Sequence, residues 1–514
     1  PEVDGRDPVL LSMSPYMKEI QLQPPELTPS IEAGATSLIV PKGYIHAIAQ
    51  VRGSGLSQGQ YNFLDIKEQQ DGYDLIEWLA KQPWCDRNVG MLGESYFAMI
   101  QYLVAAQQPP HLKCIALFAG GTDMYRDFVY SGGVFNGSFL SMWGSDTMEQ
   151  CLWPGSVKGK LPPANLFVDW ASHPQDGPYY WERSASTKHD KIKVAMLSMV
   201  APVAPIHTRG QLYFYSRIKA PKKLLVLPPF FPRHNELFGG SKPLNEQIIR
   251  WLDYWLKGIN TGIMDDPEVA VYDNTTGEWY YEHEYPLSRT KWRKFYLRSN
   301  QVGPATEPPY GLLSLEPPAN EEPDSYRFPN SRRQILAGMP VLAYATPPLD
   351  KDLRVWGPLN AVLYGSSTGR DTVWFVKLGD IEPDGRIHSL TRGHLKASYR
   401  EVDESRSKLG QPFHPFQNPI PPESNKIYEY QIEMTPIFHT FKAGHKIWVE
   451  IAGEDFSYHT KLHTMFISEM VPVPAENTVY HDSTHQSHLL LPVIPDAPIV
   501  KPVGPPVSEI TWPL

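Results

Sequence analysis

The sequence has little cysteine: three residues in 514, Cys85, Cys114 and Cys151. Their odd count and wide spacing give no disulfide framework, and no C-x-x-C pair marks a metal site. Cys114 sits in an apolar run and reads as a buried thiol, which fits a reducing, cytoplasmic compartment. No apolar run approaches the length of a membrane span, and no signal peptide is visible. Charge of one sign is never concentrated. The formal net charge of −9 is spread along the chain without a long block, which argues against a nucleic-acid surface. Internal repeats and low-complexity tracts are absent. The chain opens abruptly at Pro1-Glu2-Val3, which leaves room for residues upstream and removes any localisation argument from its start.

Proline is what the chain has in excess. Its 51 residues are about twice ordinary usage and predict many loops and edge strands. The 14 Trp and 27 Tyr fit large cores and sandwich packing, or aromatic-lined pockets. At this length two or three domains are expected.

The most informative stretch runs from Val89 to Ala106. A short strand over Val89–Leu92 enters a tight turn, Gly93-Glu94-Ser95, and a helical pattern follows over Met99–Ala106 with Ile100, Leu103 and Val104 on one face. Strand, turn and helix make the shape of a nucleophile elbow, which lifts one hydroxyl clear of a sheet and sets helix N–H groups behind it. The usual G-x-S-x-G pattern is imperfect, because position five is Phe97 and the small residue comes at Ala98. The competing reading is a buried strand-to-helix turn of any α/β domain.

Around it the spacing predicts strands over Pro8–Ser14, Gly43–Val51, His111–Phe118, Lys193–Val200 and Lys223–Pro228. Amphipathic helices are expected over Asp71–Lys81 (Leu75, Ile76, Trp78 and Leu79 apolar) and Asn245–Lys257, and a further helix begins at Gly210–Tyr215. Alternation at this rhythm predicts a parallel sheet with helices on both faces. Arg52-Gly53-Ser54-Gly55-Leu56-Ser57-Gln58-Gly59 resembles a phosphate loop, but no Lys-Ser/Thr follows, so nucleotide binding is discounted. Residues 122–191 lack strand pattern and read as an inserted helical cap. From about Thr290 short alternating runs, among them Leu353–Trp356, Ala361–Tyr364, Val373–Val376, Lys446–Ile451 and His488–Val493, predict a β-sandwich of jelly-roll type. The expected division is 1–121 and 192–289 for the α/β core, 122–191 for the cap and 290–514 for the sandwich.

An ordered set of segments carries a resemblance: Ser14-Pro15-Tyr16, Arg52-Gly53-Ser54-Gly55, Trp84-Cys85-Asp86, Asn88-Val89-Gly90-Met91, Gly93-x-Ser95-Tyr96-x-Ala98, Trp255-Leu256-Lys257-Gly258, Pro383-Asp384-Gly385 and Phe441-Lys442-Ala443-Gly444-His445. Together they resemble the X-prolyl dipeptidyl-peptidase and cocaine-esterase (CocE/NonD) family of serine hydrolases over nearly the whole chain. The resemblance implies an α/β-hydrolase core, a helical cap and a C-terminal jelly roll, with no cofactor or metal. It implies Ser95 as nucleophile and His234 as base, and an oxyanion hole from the Tyr16 hydroxyl and the Tyr96 main-chain N–H. His207 is the rival histidine, with a structural role expected. The family's acid falls on Ala201, in a loop without a carboxylate. Three accounts stay open: a substitute such as Glu236, a Ser–His dyad, or a degenerate site. Gln50 stands where the family has Asp and bears on loop support. Glu94 is a candidate for contacting a cationic group, against a structural role. Trp143 and Trp153, with Trp170, Tyr179, Tyr180 and Trp181, either line a pocket for a bulky small molecule or form the cap's own core. An ester or amide hydrolase is expected. The alternatives are a repurposed pocket for acyl transfer or a non-hydrolytic reaction, and a non-catalytic binding protein. No nucleic-acid or membrane partner is expected, and the large sandwich allows a homodimer.

Overall fold

A computed structural model describes residues 5–23, 31–202, 205–228, 241–299, 311–328, 341–453, 475–496 and 500–504. Its first sheet is assembled from strands β1 (Asp7–Ser14), β2 (Ile45–Gln50), β3 (Cys85–Glu94), β4 (Leu112–Phe118), β7 (Ala195–Val200), β8 (Lys222–Val226), β9 (Val269–Asp273) and β10 (Glu278–Glu282). A two-strand hairpin, β5 (Tyr130–Ser131) and β6 (Val134–Phe135), lies apart in the cap. The sheet order is β10-β9-β8-β7-β4-β3-β1-β2, parallel throughout except for the β9–β10 hairpin.

The inner strands are almost continuously apolar because both faces are covered. Successive side chains alternate between the two layers. Leu10, Leu92, Cys114 and Ala116 pack with Trp251, Leu252 and Leu256 of the Lys242–Lys257 helix. Val9, Leu11, Met91 and Ile115 pack on the other face with Ile76 and Ile100, from the helices Ile66–Leu79 and Tyr96–Ala106. The β2 segment, within the strand expected over Gly43–Val51, is half-exposed along its length because it is the sheet edge and pairs only with β1.

Helix starts fall earlier than apolar spacing implies. The expected Asp71–Lys81 helix begins at Ile66, where the Asp65 side chain accepts from Glu68 N, and its Trp78 is 55% exposed rather than on the buried face. The expected Asn245–Lys257 helix begins at Lys242, capped by Ser241 with Pro243 in its first turn, and ends at Gly258 with φ 68°. The Gly210–Tyr215 helix begins at Pro205.

The cap holds three α-helices, Gly137–Leu152, Leu166–Ser172 and Pro178–Arg183, a π-helical turn over Met124–Val129, two 3-10 turns and the short hairpin. Arg126 ties it to the third layer. Its guanidinium, 7% exposed, pairs with Asp123 at 3.1 Å and Asp176 at 2.7 Å and donates to His414 O at 2.7 Å.

That third layer contains β11 (Lys291–Arg298), β12 (Gly311–Ser314), β13 (Asp324–Phe328), β14 (Leu342–Ala345), β15 (Leu353–Ser367), β16 (Val373–Ile381), β17 (Ile387–Lys396), β18 (Tyr428–Phe441), β19 (Lys446–Ala452), β20 (Ala475–Tyr480) and β21 (His488–Val493). The runs Leu353–Trp356 and Ala361–Tyr364 are one strand, β15, which bends at Gly357 (φ 118°) where its register against β18 slips. By pairing with β18, β20 and β21, β15 folds the strands into the expected sandwich.

Candidate active site

β3 runs at the middle of the sheet between β1 and β4 and ends at Glu94. Ser95 follows at φ 57°, ψ −117°, a strained conformation for a residue with a side chain, and caps the Tyr96–Ala106 helix. Its N–H donates to Phe118 O at 3.0 Å, and its carbonyl accepts from Ala98 N and Met99 N. Gly93, at φ 154°, leaves no room for a Cβ, which would lie 2.2 Å from Phe97 Cβ. The same close packing explains why the small residue comes at 98. Ala98 Cβ lies against Gly120 beyond β4, where any added Cβ would be 2.9 Å away, whereas Phe97 turns toward Tyr16 with ring centroids 6.0 Å apart. Every residue of the helix is buried, so its apolar pattern shows no polar face.

Ser95 is half-buried beside Tyr16, the second residue after β1. The Tyr16 hydroxyl is hydrogen-bonded to the Trp143 indole, and the Ser95 hydroxyl lies near enough to act on its ionisation. An indole N–H can only donate, so Tyr16 Oη accepts from Trp143 Nε1 at 2.9 Å. The phenol proton is thereby left for Ser95 Oγ or for an oxygen developing charge there. Burial, with Glu32 next in weight, pushes the phenol well above its ordinary value, while Trp143 and Ser95 pull the other way. Tyr16 therefore stays a donor at physiological pH. The Tyr96 N–H opens the helix, where the first N–H groups have no partner within the helix and the helix dipole is positive. Two donors thus lie next to the Ser95 side chain.

The Tyr96 side chain points away from that N–H into the interior. Its hydroxyl contacts Glu68 Oε1 and Oε2 at 2.9 and 3.0 Å, and Tyr61 donates to it at 3.3 Å. Its ring lies edge-on to Tyr16 and stacks on Trp143.

Trp143 belongs to an aromatic cluster with Phe63, Phe128 and Trp170. With Trp170 and Tyr180 fully buried, most of the cap's aromatic content is its own core. Trp153 stands apart, 64% exposed at the end of the Gly137–Leu152 helix, and Trp181 is 41% exposed. Glu94 is fully buried; its N–H donates to Glu32 O at 2.8 Å, and both carboxylates act on the Tyr16 phenol.

His207, the rival histidine, is 5% exposed and accepts from Gly121 N through Nδ1 at 3.3 Å. Ala201 directly follows β7, 3% exposed, and its carbonyl accepts from Thr208 Oγ1 at 2.9 Å. Gln211 spans Gly120 N, Ser198 Oγ and Met199 O. The end of β7 is thus held by neutral groups. His234 and Glu236 lie outside the described residues. Among the described residues no three His, Cys, Asp or Glu side chains converge as a metal site would require. Glu32 and Glu68 were not singled out by sequence. The spacing Asp65-x-x-Glu68 is a capping-box signal that would have drawn attention to Glu68.

Comparison with known proteins decides the family. The profile of the X-Pro dipeptidyl-peptidase (S15 family) matches residues 1–229, and that of the X-Pro dipeptidyl-peptidase C-terminal non-catalytic domain matches residues 261–490. The chain belongs to the X-prolyl dipeptidyl-peptidase and cocaine-esterase family of α/β-hydrolases. Within it, the chain is 24% identical to the cocaine esterase of a Rhodococcus species, over 96% of this chain and 95% of that one. Its fold is similar to a CocE/NonD family hydrolase from Staphylococcus aureus, with a TM-score of 0.84 at 22% identity, covering 96% of this chain and 90% of that one. It is also similar to an aminopeptidase from a marine-sediment Thaumarchaeota archaeon, with a TM-score of 0.75 at 18% identity, covering 96% and 93%. This family member is a hydrolase of the serine esterase and peptidase type. No helix among its described residues is long and apolar enough to cross a membrane.

Proposed function

We propose that the protein cleaves an ester or amide of a small molecule through an acyl-enzyme on Ser95. The observation that carries this reading is the strained Ser95 turn beside the Tyr16 hydroxyl, whose oxygen accepts from Trp143 Nε1–H, and beside the N–H that opens the Tyr96 helix. Ser95 Oγ attacks the carbonyl carbon and loses its proton to a base. The carbonyl electrons move to oxygen, and the Tyr16 hydroxyl and the Tyr96 N–H hold that charge. The bond to the leaving alcohol or amine then breaks, and the leaving group takes the proton from the base. Water repeats the sequence and releases the acid. His234 is the base in this scheme, a role that rests on the family resemblance.

Ala201 stands where the family's acid is expected, so imidazole orientation falls to another group, with Glu236 the nearest carboxylate in sequence to His234. The same residue favours a second reading, in which an altered relay leaves the acyl-enzyme to a nucleophile other than water. The three buried, unpaired cysteines support a reducing, cytoplasmic setting.

Pre-steady-state hydrolysis of p-nitrophenyl acetate tests the scheme. A stoichiometric burst of p-nitrophenol that vanishes in Ser95→Ala is expected. Turnover unchanged in Ser95→Ala would remove Ser95 from the chemistry. A full burst with a very slow second phase that an added amine or alcohol accelerates would favour acyl transfer.

A further inference from the structure

Glu68 is fully buried one residue layer behind the elbow, and nothing in the scheme above uses it. It occupies the third position of the Ile66–Leu79 helix, where a capping-box glutamate would turn back to the N–H of the cap residue, Asp65. It reaches instead to the N–H of Leu64 at 3.1 Å, and both its oxygens lie within 3.0 Å of Tyr96 Oη. The segment that presents that N–H is itself strained: Phe63 and Leu64 have φ of 36° and 57°. The contact therefore links a strained loop, the start of one helix and the first residue of the nucleophile's helix.

We propose that Glu68 is a positioning residue of the oxyanion hole, fixing the Tyr96 side chain, and through it the Tyr96 N–H and the ring that backs Tyr16, while it holds its own proton. The proposal rests on the reading of Ser95 as nucleophile. Leu64 N–H marks Oε2 as an acceptor, so the acid's proton belongs on Oε1, donated to Tyr96 Oη while the Tyr96 proton goes to Oε2. The surroundings favour the neutral acid. The titratable groups facing it are Asp65 and Asp71 on its own helix, Tyr61, Tyr96, and the Cys151 thiol of the cap. The nearby cation Arg52 is engaged by Asp71. Burial, with the two aspartates adding to it, pushes the Glu68 carboxyl up to about 8 against the hydrogen bonds from Tyr96 and Leu64. Ionised, Glu68 would set a negative charge behind the donors that must hold an oxyanion, and it would lose the proton it shares with its neighbours. Acylation should therefore weaken as pH rises through that value.

The test measures the second-order rate of fluorophosphonate labelling, and kcat and KM for p-nitrophenyl acetate, from pH 6 to 9.5 in wild type, Glu68→Gln and Glu68→Ala. Glu68→Gln keeps an acceptor and a donor but cannot ionise. It should label within about threefold of wild type at pH 6.5 and lack the wild-type decline near pH 8. Glu68→Ala should lower kcat by roughly tenfold and leave KM within about twofold, because the loss falls on the transition state. A decline unchanged in Glu68→Gln, or absent from wild type, overturns the proposal while leaving Ser95 in place. No labelling of folded wild type removes the Ser95 reading and this proposal with it.

Discussion

Replacing Tyr16 by Phe removes one hydroxyl and leaves the ring against Tyr96 and Phe97, at the 6.0 Å centroid separations it now has. On the proposed scheme the hydroxyl is one of two donors to the developing oxyanion, with Trp143 and Phe97 packed beside it. Loss of one such donor costs about 10²- to 10³-fold in kcat, or about 2.7–4 kcal/mol of transition-state stabilisation. Folding should suffer less. The change strands the Trp143 N–H, a half-buried donor, at about 1–2 kcal/mol. Trp143→Phe keeps the stack on Tyr96 and removes only the polarising bond, worth about 1 kcal/mol or roughly fivefold in rate. Because Trp143 acts through the Tyr16 hydroxyl, the double variant should be no slower than Tyr16→Phe alone, whereas independent effects would multiply. Steady-state hydrolysis of p-nitrophenyl acetate, with circular dichroism to establish folding, measures all three variants. A Tyr16→Phe rate within about threefold of wild type, or a double variant slower by the full product, refutes the relay.

Other expectations follow from the buried charges. Arg126→Ala leaves Asp123 and Asp176 buried without their cation and should destabilise the fold by about 3–5 kcal/mol in urea titration, where a change under about 1 kcal/mol would contradict the role of this cluster. Glu68 gives a stability slope of definite sign. Its native value of about 8 lies above its ordinary 4.5, so between those pH values the native state binds a proton that the unfolded state has released. Its contribution is therefore fully present below about 4.5 and is lost as pH rises to about 8, by up to about 1.4 kcal/mol per pH unit. Glu68→Gln should flatten that part of the stability curve measured by urea unfolding, and an identical slope in the variant would count against a protonated Glu68.

The fold was legible where local and global preferences coincide. The apolar runs that became β1, β3, β4, β7 and β8 could only be covered strands, and Gly93-Glu94-Ser95 announced a turn that the observed Ser95 dihedrals match. Edge and boundary features were not legible. β2 has the composition of a covered strand and lies at the edge, and Asp65 as a cap was hidden by the search for apolar spacing. β15 was split in two because Gly357-Pro358 looks like a break, whereas a bulge carries the strand through it. At the site, Ser95 and Tyr16 were found through motif and resemblance, and the structure brings them together. The long-range contacts made by Trp143 and Glu68 were out of reach. Trp143 reaches Tyr16 across 127 positions and Glu68 reaches Tyr96 across 28, so both depend on tertiary packing that no local pattern encodes. Of the two readings of the aromatic cap, the packing favours its own core: its rings mostly pack on one another, and Trp153 is at the surface.

The most direct test of the account is covalent capture of the nucleophile. Wild-type protein, Ser95→Ala and His234→Ala are treated with a fluorophosphonate, and adducts are located by peptide mass spectrometry. One phosphonyl group on the peptide carrying Ser95 in wild type, none in Ser95→Ala and a greatly slowed adduct in His234→Ala is the predicted result. A folded wild-type protein that stays unmodified, or is modified at another residue, would contradict it.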